Sequence, residues 1–204
     1  MLIGDGTTDY GSVMRPRFHP IVRRGAIAAA CLTAIAFASQ PDAATGLRYD
    51  ALPMKLAQSM LWIADAGPGD VVYDLGCASG DIVILAARRL RARAVCVGTD
   101  RRRIDEIREQ ARGVGVADRI EFRMEDIRKA TIGDATVVML LLSPAQNLEL
   151  RPKLLRDLAP GTRIVSHEHG LGDWKPALTA YVRSGGKDRP VHLWAVPTRR
   201  AHPH

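Results

Sequence analysis

Two kinds of apolar run alternate along the chain from about residue 54 onward. Runs with helical spacing, in which apolar side chains recur every three or four residues, cover Met54–Asp65, Ile82–Leu90 and Ile104–Val114. Short, mainly apolar runs that are typical of buried strands cover Val71–Tyr73, Ala94–Val97, Ile120–Arg123, Ala135–Leu142 and Thr162–Ser166. This alternation predicts βα units with parallel strands, and therefore an α/β fold.

The C-terminal third of the sequence predicts one more helical region and a hairpin. Ser143 and Pro144 form a helix start, and Pro152 is expected to break that helix into two pieces before Gly161. Thr179–Ser184 and Val191–Val196 are predicted to be paired strands joined by a loop through Gly185, Gly186, Lys187 and Asp188. The expected architecture is a Rossmann-like, doubly wound sheet of seven mostly parallel strands with a C-terminal antiparallel hairpin.

The stretch VVYDLGCASGD, residues 71–81, carries the clearest chemical signal. A strand leads into a turn with small residues at Gly76, Ala78 and Gly80, and a helix follows, as at the opening of a Rossmann-type fold. A tight turn that binds nothing is the alternative. The spacing differs from the dinucleotide fingerprint, and Asp74 disfavours a nearby diphosphate. A carboxylate at this position suits a ligand with a cationic ammonium group.

The charge of the chain is positive and unevenly distributed. The 204 residues carry a formal net charge of +7, enough length for one domain of ordinary size and a tail. Two groups of arginines stand out: Arg88, Arg89, Arg91 and Arg93, and then Arg101, Arg102 and Arg103. They are either solvated helix ends or a surface for an acidic partner, a membrane or nucleic acid.

The N-terminal region has the parts of a targeting segment. Arg23 and Arg24 precede the apolar run Gly25–Ala38, which is too short for an ordinary spanning helix and ends in a small-x-small cleavage pattern. We therefore expect residues 1–38 to be a signal peptide or membrane-targeting segment, with Met14 as a possible true start. Residues 39–47 are the predicted linker, 48–198 the domain and 199–204 a basic tail.

This organisation predicts an exported, periplasmic or membrane-anchored protein, and it leaves open on which side of the membrane the domain lies. Cys77 and Cys96 form no recognisable framework, so no disulfide scaffold is expected.

Four segments together resemble a known family. GDVVYDLG, DATVV, NLELRPKLLRDLAPGTRIVSH and GDWKP are similar to the seven-β-strand lysine methyltransferases of bacteria and mitochondria, whose mitochondrial members act on ATP synthase c subunit and the adenine nucleotide translocase. The similarity covers roughly Arg48 to Pro197. It implies a class I methyltransferase that uses S-adenosyl-L-methionine and acts on lysine in a protein, with a membrane protein as one possible substrate.

The resemblance also implies a set of cofactor-binding residues. They are Asp74, Gly76, Cys77, Ala78 and Gly80 in the glycine loop, Asp100 for the ribose hydroxyls and Asp126 for the adenine amino group. The chain departs from the family at four positions in this region. Ala78 stands for a usual glycine, Ser79 for an aspartate and Asp81 for a residue that is often arginine, and Gly98 occupies the usual position of the acidic ribose ligand. Asp100 has the alternative role of a helix N-cap, and Asp126 that of a solvated loop carboxylate.

The acceptor residues implied by the resemblance follow the fourth and fifth strands. They are Asn147, Asp173 and Trp174, and His167 matches a family histidine. Asn147 could instead lie on the surface of its helix, and Trp174 could pack the loop. Leu141 replaces a family tyrosine. His167 and His169 alternate along extended chain without a third ligand at a recognisable spacing, so no metal site is predicted.

Two other functions compete with protein-lysine methylation. A methyltransferase fold without catalysis is one, because Ser79, Gly98 and Leu141 depart from the family and an exported domain would lack its cofactor. A nucleic-acid methyltransferase is the other, suggested by the arginines. The region after the fourth strand lacks an Asn-Pro-Pro-aromatic motif, so nucleic acid is the less expected partner.

Overall fold

A computed structural model describes residues 54–184 and 186–198 of the chain. The helices are α1 (Met54–Ile63), α2 (Asp81–Arg89), α3 (Arg101–Gly113) and α4 (Pro144–Asp157), with a short 3₁₀ turn at Ala117–Arg119. The strands are β1 (Val71–Leu75), β2 (Arg93–Gly98), β3 (Ile120–Met124), β4 (Val137–Leu140), β5 (Arg163–His167), β6 (Leu178–Ser184) and β7 (Lys187–Ala195).

The strands form one sheet of seven in the order β3-β2-β1-β4-β5-β7-β6. Strands β1 to β5 are parallel, whereas β7 runs antiparallel to β5 and pairs with β6 as a hairpin. The strand order reverses direction at β1, which lies between β2 and β4. This topology confirms the predicted doubly wound fold and places β1 and its following turn at the centre of the sheet.

The core lies on both faces of the sheet, because side chains alternate along each strand. On one face, Val72 and Met139 pack with the buried sides of α1, α2 and α3. On the other, Tyr73 and Leu140 pack with α4. The burial of β1 and β4 on both faces explains why their apolar runs are continuous.

Helix α4 is continuous through Pro152, so the predicted break is wrong. A capping box between Ser143 and Gln146 begins the helix. Leu150 and Leu154, on either side of the proline, are fully buried against the sheet. Tertiary packing of this apolar face therefore holds both halves of the helix together despite the proline.

The hairpin loop is shorter than predicted. Strand β7 begins at Lys187, which pairs with Ser184, and Asp188 pairs with Arg183. Lys187 and Asp188 are therefore strand residues. Polar side chains are compatible with strand here because both residues are exposed at the end of the hairpin.

The expectation that the cysteines form no disulfide is wrong for Cys77 and Cys96, which are bonded to each other with their Cα atoms 5.3 Å apart. In the β1–β2 register Asp74 is opposite Cys96, and the turn after β1 folds back over β2. The N–H groups of Gly76 and Cys77 both donate to the carbonyl of Val97, at 2.9 and 3.0 Å. This placement depends on strand register, which cysteine spacing does not reveal.

The predicted targeting segment, the linker and the basic tail lie outside the described residues. Within residues 54–184 and 186–198, no helix has the length and apolar character needed to cross a membrane.

The disulfide should contribute to the stability of the cofactor turn. Closing a loop between residues 19 apart in sequence stabilises a fold by about 3 kcal/mol in the chain-entropy account. We expect Cys77→Ala/Cys96→Ala to lower the free energy of unfolding by about that amount, measured by urea denaturation. A reductant should lower the midpoint of the wild type and leave the variant unchanged; equal midpoints for wild type and variant would contradict the role of the bond.

Candidate cofactor and acceptor site

The predicted site residues meet at the edge of the sheet where the parallel strands end. The turn after β1, the loop after β2 and the start of α4 after β4 all leave the sheet at these carboxyl ends. Ligands of open α/β sheets bind in the crevice outside this edge, next to the point where the strand order reverses.

Asp74 is the most unusual charged group at this edge. The residue is only 5% exposed, and no hydrogen bond or ion pair with another described residue stabilises its carboxylate. Burial, together with the negative charge of Asp81, raises the pKa of Asp74 to about 7. A buried carboxylate without a counter-charge fits a cationic ligand, such as the ammonium group of S-adenosylmethionine.

The turn between β1 and α2 has the shape that its glycines predict. Gly76 and Gly80 have φ values of 89° and 77°, which favour glycine. A Cβ at Gly80 would overlap Cγ2 of Ile107 in α3. Gly80 is also the N-cap of α2 and supplies no capping side chain, so N–H groups of the first helical turn are free of a side-chain cap. The turn thus fits the polar end of a cofactor, although packing against α3 alone already requires glycine at residue 80.

Asp100 acts as the N-cap of α3. Its Oδ1 accepts a hydrogen bond from the backbone N–H of Arg103 at 3.1 Å, which is the alternative role that the sequence left open. The side chain is exposed beside the end of β2. A Cβ at Gly98 would have the carbonyl oxygen of Cys77 as its nearest neighbour, at 3.9 Å. Contact of Asp100 with a ribose stays a prediction.

Asp126 is engaged with a neighbouring arginine. Both of its carboxylate oxygens accept hydrogen bonds from Arg128, which also reaches Glu149 at 3.2 Å. The hydrogen bonds from Arg128 lower the pKa of Asp126 to about 2. The carboxylate is therefore ionised and oriented at neutral pH, and its contact with adenine stays a prediction.

Asn147 lies in the interior, because the residue is 0% exposed, and not on the helix surface. Its side-chain Nδ2 donates to Oγ of Ser166 at 2.9 Å and to the carbonyl of His169 at 3.0 Å. Its Oδ1 is buried without a hydrogen-bond partner among the described residues. A buried acceptor without a partner is costly in a folded protein, so this atom fits a ligand that donates a hydrogen bond.

The orientation of the Asn147 amide is fixed by the polarity of its neighbours. A backbone carbonyl only accepts, so the carbonyl of His169 must face the amide nitrogen. The hydroxyl of Ser166 donates its proton to that same carbonyl at 2.7 Å, which leaves the Ser166 oxygen to accept from Asn147. Sequence reasoning gave Ser166 no role, and the only signal was its place in the RIVSH segment.

His167 carries the second buried polar atom without a partner among the described residues, its Nε2. Its burial lowers the pKa of the imidazole, partly offset by the negative charge of Glu168, so His167 is neutral at pH 7. Alternation along β5 places His167 on the opposite face of the sheet from Ser166. Glu168 follows with a left-handed φ of 63° and an ion pair to Arg189, which fixes the turn after β5.

Asp173 and Trp174 lie in the loop that follows β5. The Asp173 side chain is 84% exposed and forms an ion pair with Arg151 of α4. The Trp174 ring packs against Trp194 with centroids 6.2 Å apart, and its carbonyl accepts from Nε1 of Trp194 at 2.8 Å. With these contacts Trp174 packs the loop, which is the alternative that the sequence left open. Contact of Asp173 or Trp174 with the methyl acceptor stays a prediction.

No group of three metal-ligating side chains occurs among residues 54–184 and 186–198.

Comparison with known proteins gives a consistent result. Residues 74–178, about half of the chain, match the model of the ANTKMT methyltransferase domain. A protein-lysine N-methyltransferase from Saccharolobus islandicus is 36% identical over 149 residues, which are 72% of this chain and 92% of that protein.

Solved structures show the same fold. The chain superimposes with a TM-score of 0.69 and 41% identity on an RNA methyltransferase from Salinibacter ruber in complex with S-adenosyl-L-homocysteine, covering 76% of this chain and 97% of that one. TrmN from Thermus thermophilus gives a TM-score of 0.59 at 24% identity over 71% of this chain and 49% of that one, a similarity of fold.

The packing of Gly80 can be tested against a matched glycine. Gly115 also has a left-handed φ, of 69°, but nothing lies within 4 Å of its Cβ position. Both substitutions place alanine in a left-handed backbone conformation, which is unfavourable. Only Gly80→Ala adds the overlap with Ile107. We expect Gly80→Ala to lower the free energy of unfolding by about 1–3 kcal/mol more than Gly115→Ala, measured by urea denaturation. Equal losses would show that the space beside Ile107 is not limiting.

The pKa of Asp74 should make cofactor binding depend on pH. Below pH 7 the carboxyl of the free protein is protonated and must lose its proton to pair with an ammonium group. Affinity for S-adenosylhomocysteine should therefore rise up to about tenfold per pH unit from pH 5 and level off near pH 7, measured by calorimetry. Asp74→Asn should weaken binding and flatten this profile. If the affinity of the wild type does not change between pH 5 and pH 7, the assignment of Asp74 is contradicted.

The raised pKa of Asp74 also predicts how the stability of the protein changes with pH. The folded pKa of about 7 lies above the unfolded value near 4. Between these values the folded state binds more protons than the unfolded state, so the contribution of Asp74 to stability falls as pH rises. Asp74→Asn should therefore raise the melting temperature of the cofactor-free protein at pH 8, and a lowered melting temperature would contradict the uncompensated burial.

Proposed function

This chain belongs to the ANTKMT methyltransferase domain family, and from that premise we propose that it methylates a lysine side chain of a protein substrate. Family membership makes it an S-adenosylmethionine-dependent methyltransferase. The name of the Saccharolobus islandicus relative, a protein-lysine N-methyltransferase, supports lysine as the acceptor.

The reaction depends more on the positioning of the amine and the methyl group than on acid–base catalysis. S-adenosylmethionine supplies an activated methyl group on a sulfonium. The lone pair of a neutral lysine nitrogen attacks the methyl carbon, the C–S bond electrons remain on sulfur, and the nitrogen then loses a proton to solvent. The protein must hold the amine in line and exclude water.

The buried Oδ1 of Asn147 is the observation that carries the proposal. It lies at the start of α4, directly after β4, where an acceptor would approach a cofactor bound over β1. Its orientation is fixed by Ser166 and His169, so it presents an acceptor to the ligand and cannot turn to present a donor. An amine offers the N–H that this atom lacks, whereas a carboxylate acceptor offers none.

RNA is the second candidate substrate. The Salinibacter ruber protein that is 41% identical to this chain is named an RNA methyltransferase, and an exocyclic base amine also carries an N–H. The exposed arginines of this chain would suit a phosphate backbone. The two relatives are matched over similar shares of their lengths, 92% and 97%. Lysine is favoured because the four segments that resemble the lysine methyltransferases and the name of the Saccharolobus islandicus relative agree on it.

We also propose that the chain lies in an oxidising compartment, exported or anchored by its N-terminal segment, and that its activity there requires S-adenosylmethionine to be supplied to that compartment. The Cys77–Cys96 disulfide supports this, because such bonds persist mainly outside reducing compartments. The apolar run Gly25–Ala38 behind Arg23 and Arg24 supports it from the sequence. A chain anchored at a membrane would be close to membrane proteins, so one of these is a candidate substrate.

Transfer of a labelled methyl group tests the proposed reaction. The full chain is incubated with tritiated S-adenosylmethionine and total protein or total RNA, and the products are hydrolysed and separated. Label in N-methyl-lysine supports the proposal. Label only in RNA, released by ribonuclease, would establish the second candidate, and no label in either with cofactor bound would favour a non-catalytic binding protein.

Variants of the amide network test the role of Asn147. Asn147→Ala should lower the transfer rate about 100-fold, the loss expected for one preorganised hydrogen bond to the reacting group, with the affinity for S-adenosylhomocysteine unchanged. Ser166→Ala retains Oδ1 and should cause a smaller loss. Equal activity of Asn147→Ala and wild type would exclude a contact of Oδ1 with the acceptor.

A further inference from the structure

Five arginines form an exposed cluster at the edge of the sheet opposite the site. We call this cluster the basic edge: Arg88, Arg89, Arg91, Arg93 and Arg119. The first two end α2 and the third lies in the turn that follows. Strand β2 begins at Arg93, and Arg119 directly precedes Ile120 of β3, which pairs with Ala94 of β2. The guanidinium of Arg119 also donates to the carbonyl of Arg91 at 3.3 Å, so the cluster is continuous.

The basic edge differs from the other arginine-rich part of the chain. On α3, Arg102 pairs with Glu106, Arg108 with Asp105 and Arg112 with Glu109. Within the described residues no ion pair involves any arginine of the basic edge. The charges of α3 are therefore largely neutralised within the helix, whereas those of the basic edge face solvent.

An exposed tryptophan lies at the same end of the strands, on the side of α1 that borders β6. Trp62, in the last turn of α1, is 82% exposed. The carbonyls of Ala64 and Asp65, directly after α1, accept hydrogen bonds at 2.7 and 2.8 Å from Arg163, which begins β5. The C-terminal end of α1 therefore lies at the amino ends of the strands, as the basic edge does.

We propose that the basic edge and Trp62 form a surface that docks on a membrane containing anionic phospholipids. Arginines beside an anionic leaflet are attracted to its phosphate groups, and tryptophan favours the headgroup level. Asp65, Asp118 and Asp134 are exposed aspartates near this edge, and Glu121 of β3 pairs with Arg123 and also interacts with the charge of Arg93. These acidic groups are fewer than the arginines at this end of the sheet. The edge therefore keeps an excess of positive charge. The proposal concerns attachment and does not depend on methyl transfer.

The position of the surface favours a membrane over an RNA substrate. Strand β2 runs from Arg93 to Gly98, so its two ends are about 16 Å apart at ~3.3 Å per residue. A substrate bound at the basic edge would thus lie away from the cofactor turn. A surface for attachment gains from this separation, because docking leaves the site at the opposite edge open to its substrate.

Vesicle binding by the full chain tests the proposal. The probe is a vesicle of phosphatidylcholine with roughly 30% phosphatidylglycerol, an anionic lipid, compared with pure phosphatidylcholine. Arg88→Gln/Arg89→Gln/Arg93→Gln should weaken the partition onto anionic vesicles about 100-fold, since each arginine near an anionic surface contributes about 1 kcal/mol. Raised salt should reduce the difference between the two proteins.

The matched control removes the same charge from α3. Arg102→Gln/Arg108→Gln/Arg112→Gln should weaken partition less than about fivefold, because these side chains are already paired. Both triple variants keep the N-terminal segment, so its own membrane affinity cancels. Equal effects of the two variants would show that only total charge matters and would overturn the proposal.

Tryptophan fluorescence gives a second readout. Trp194 is 1% exposed, so Trp62 is the tryptophan available to lipid at this edge. Brominated phospholipid in the vesicles should quench the wild type and should quench Trp62→Phe much less. Equal quenching of both proteins would overturn the docking surface. So would a triple variant that loses binding to a single-stranded RNA oligomer while keeping its binding to anionic vesicles.

Discussion

A carboxylate buried at the end of the central strand is the constraint on which the site depends. Asp74 lies on β1, between β2 and β4, where both faces of the sheet are covered. Its negative charge meets no counter-charge among the described side chains and is opposed by that of Asp81. The fold tolerates this cost because the rest of β1 buries apolar side chains on both faces. A cationic ligand would supply the missing charge, so the same feature that weakens the empty protein favours the cofactor.

The geometry around this carboxylate is held by contacts that do not involve a ligand. Gly80 fits because Ile107 of α3 leaves no room for a side chain. The Cys77–Cys96 bond joins the turn to β2, and two backbone hydrogen bonds to the carbonyl of Val97 also link the turn to this strand. On the acceptor side, a fixed hydrogen-bond polarity directs Asn147. The site is therefore organised before anything binds, which is what a reaction driven by positioning needs.

The sequence predicted the parts of the structure that depend on local pattern. Alternating apolar runs predicted the order of strands and helices, and Ser143 with Pro144 predicted the start of α4. The features that the sequence did not predict depend on interactions between distant segments. Helix α4 passes through Pro152 because Leu150 and Leu154 are buried on both sides of it. The disulfide follows from the β1–β2 register. The amide network needs β5 beside α4, so the sequence did not reveal the role of Ser166, although the resemblance already implied Asn147 as an acceptor residue.

Proton release during cofactor binding tests the central role of Asp74 most directly. S-adenosylmethionine is titrated into the protein at pH 6 in several buffers that differ in ionisation enthalpy. Because the pKa of Asp74 is about 7, the carboxyl is mostly protonated at that pH, and pairing with an ammonium group should release close to one proton per cofactor bound. No proton release during measurable binding would contradict the account and would place the cofactor's ammonium group elsewhere.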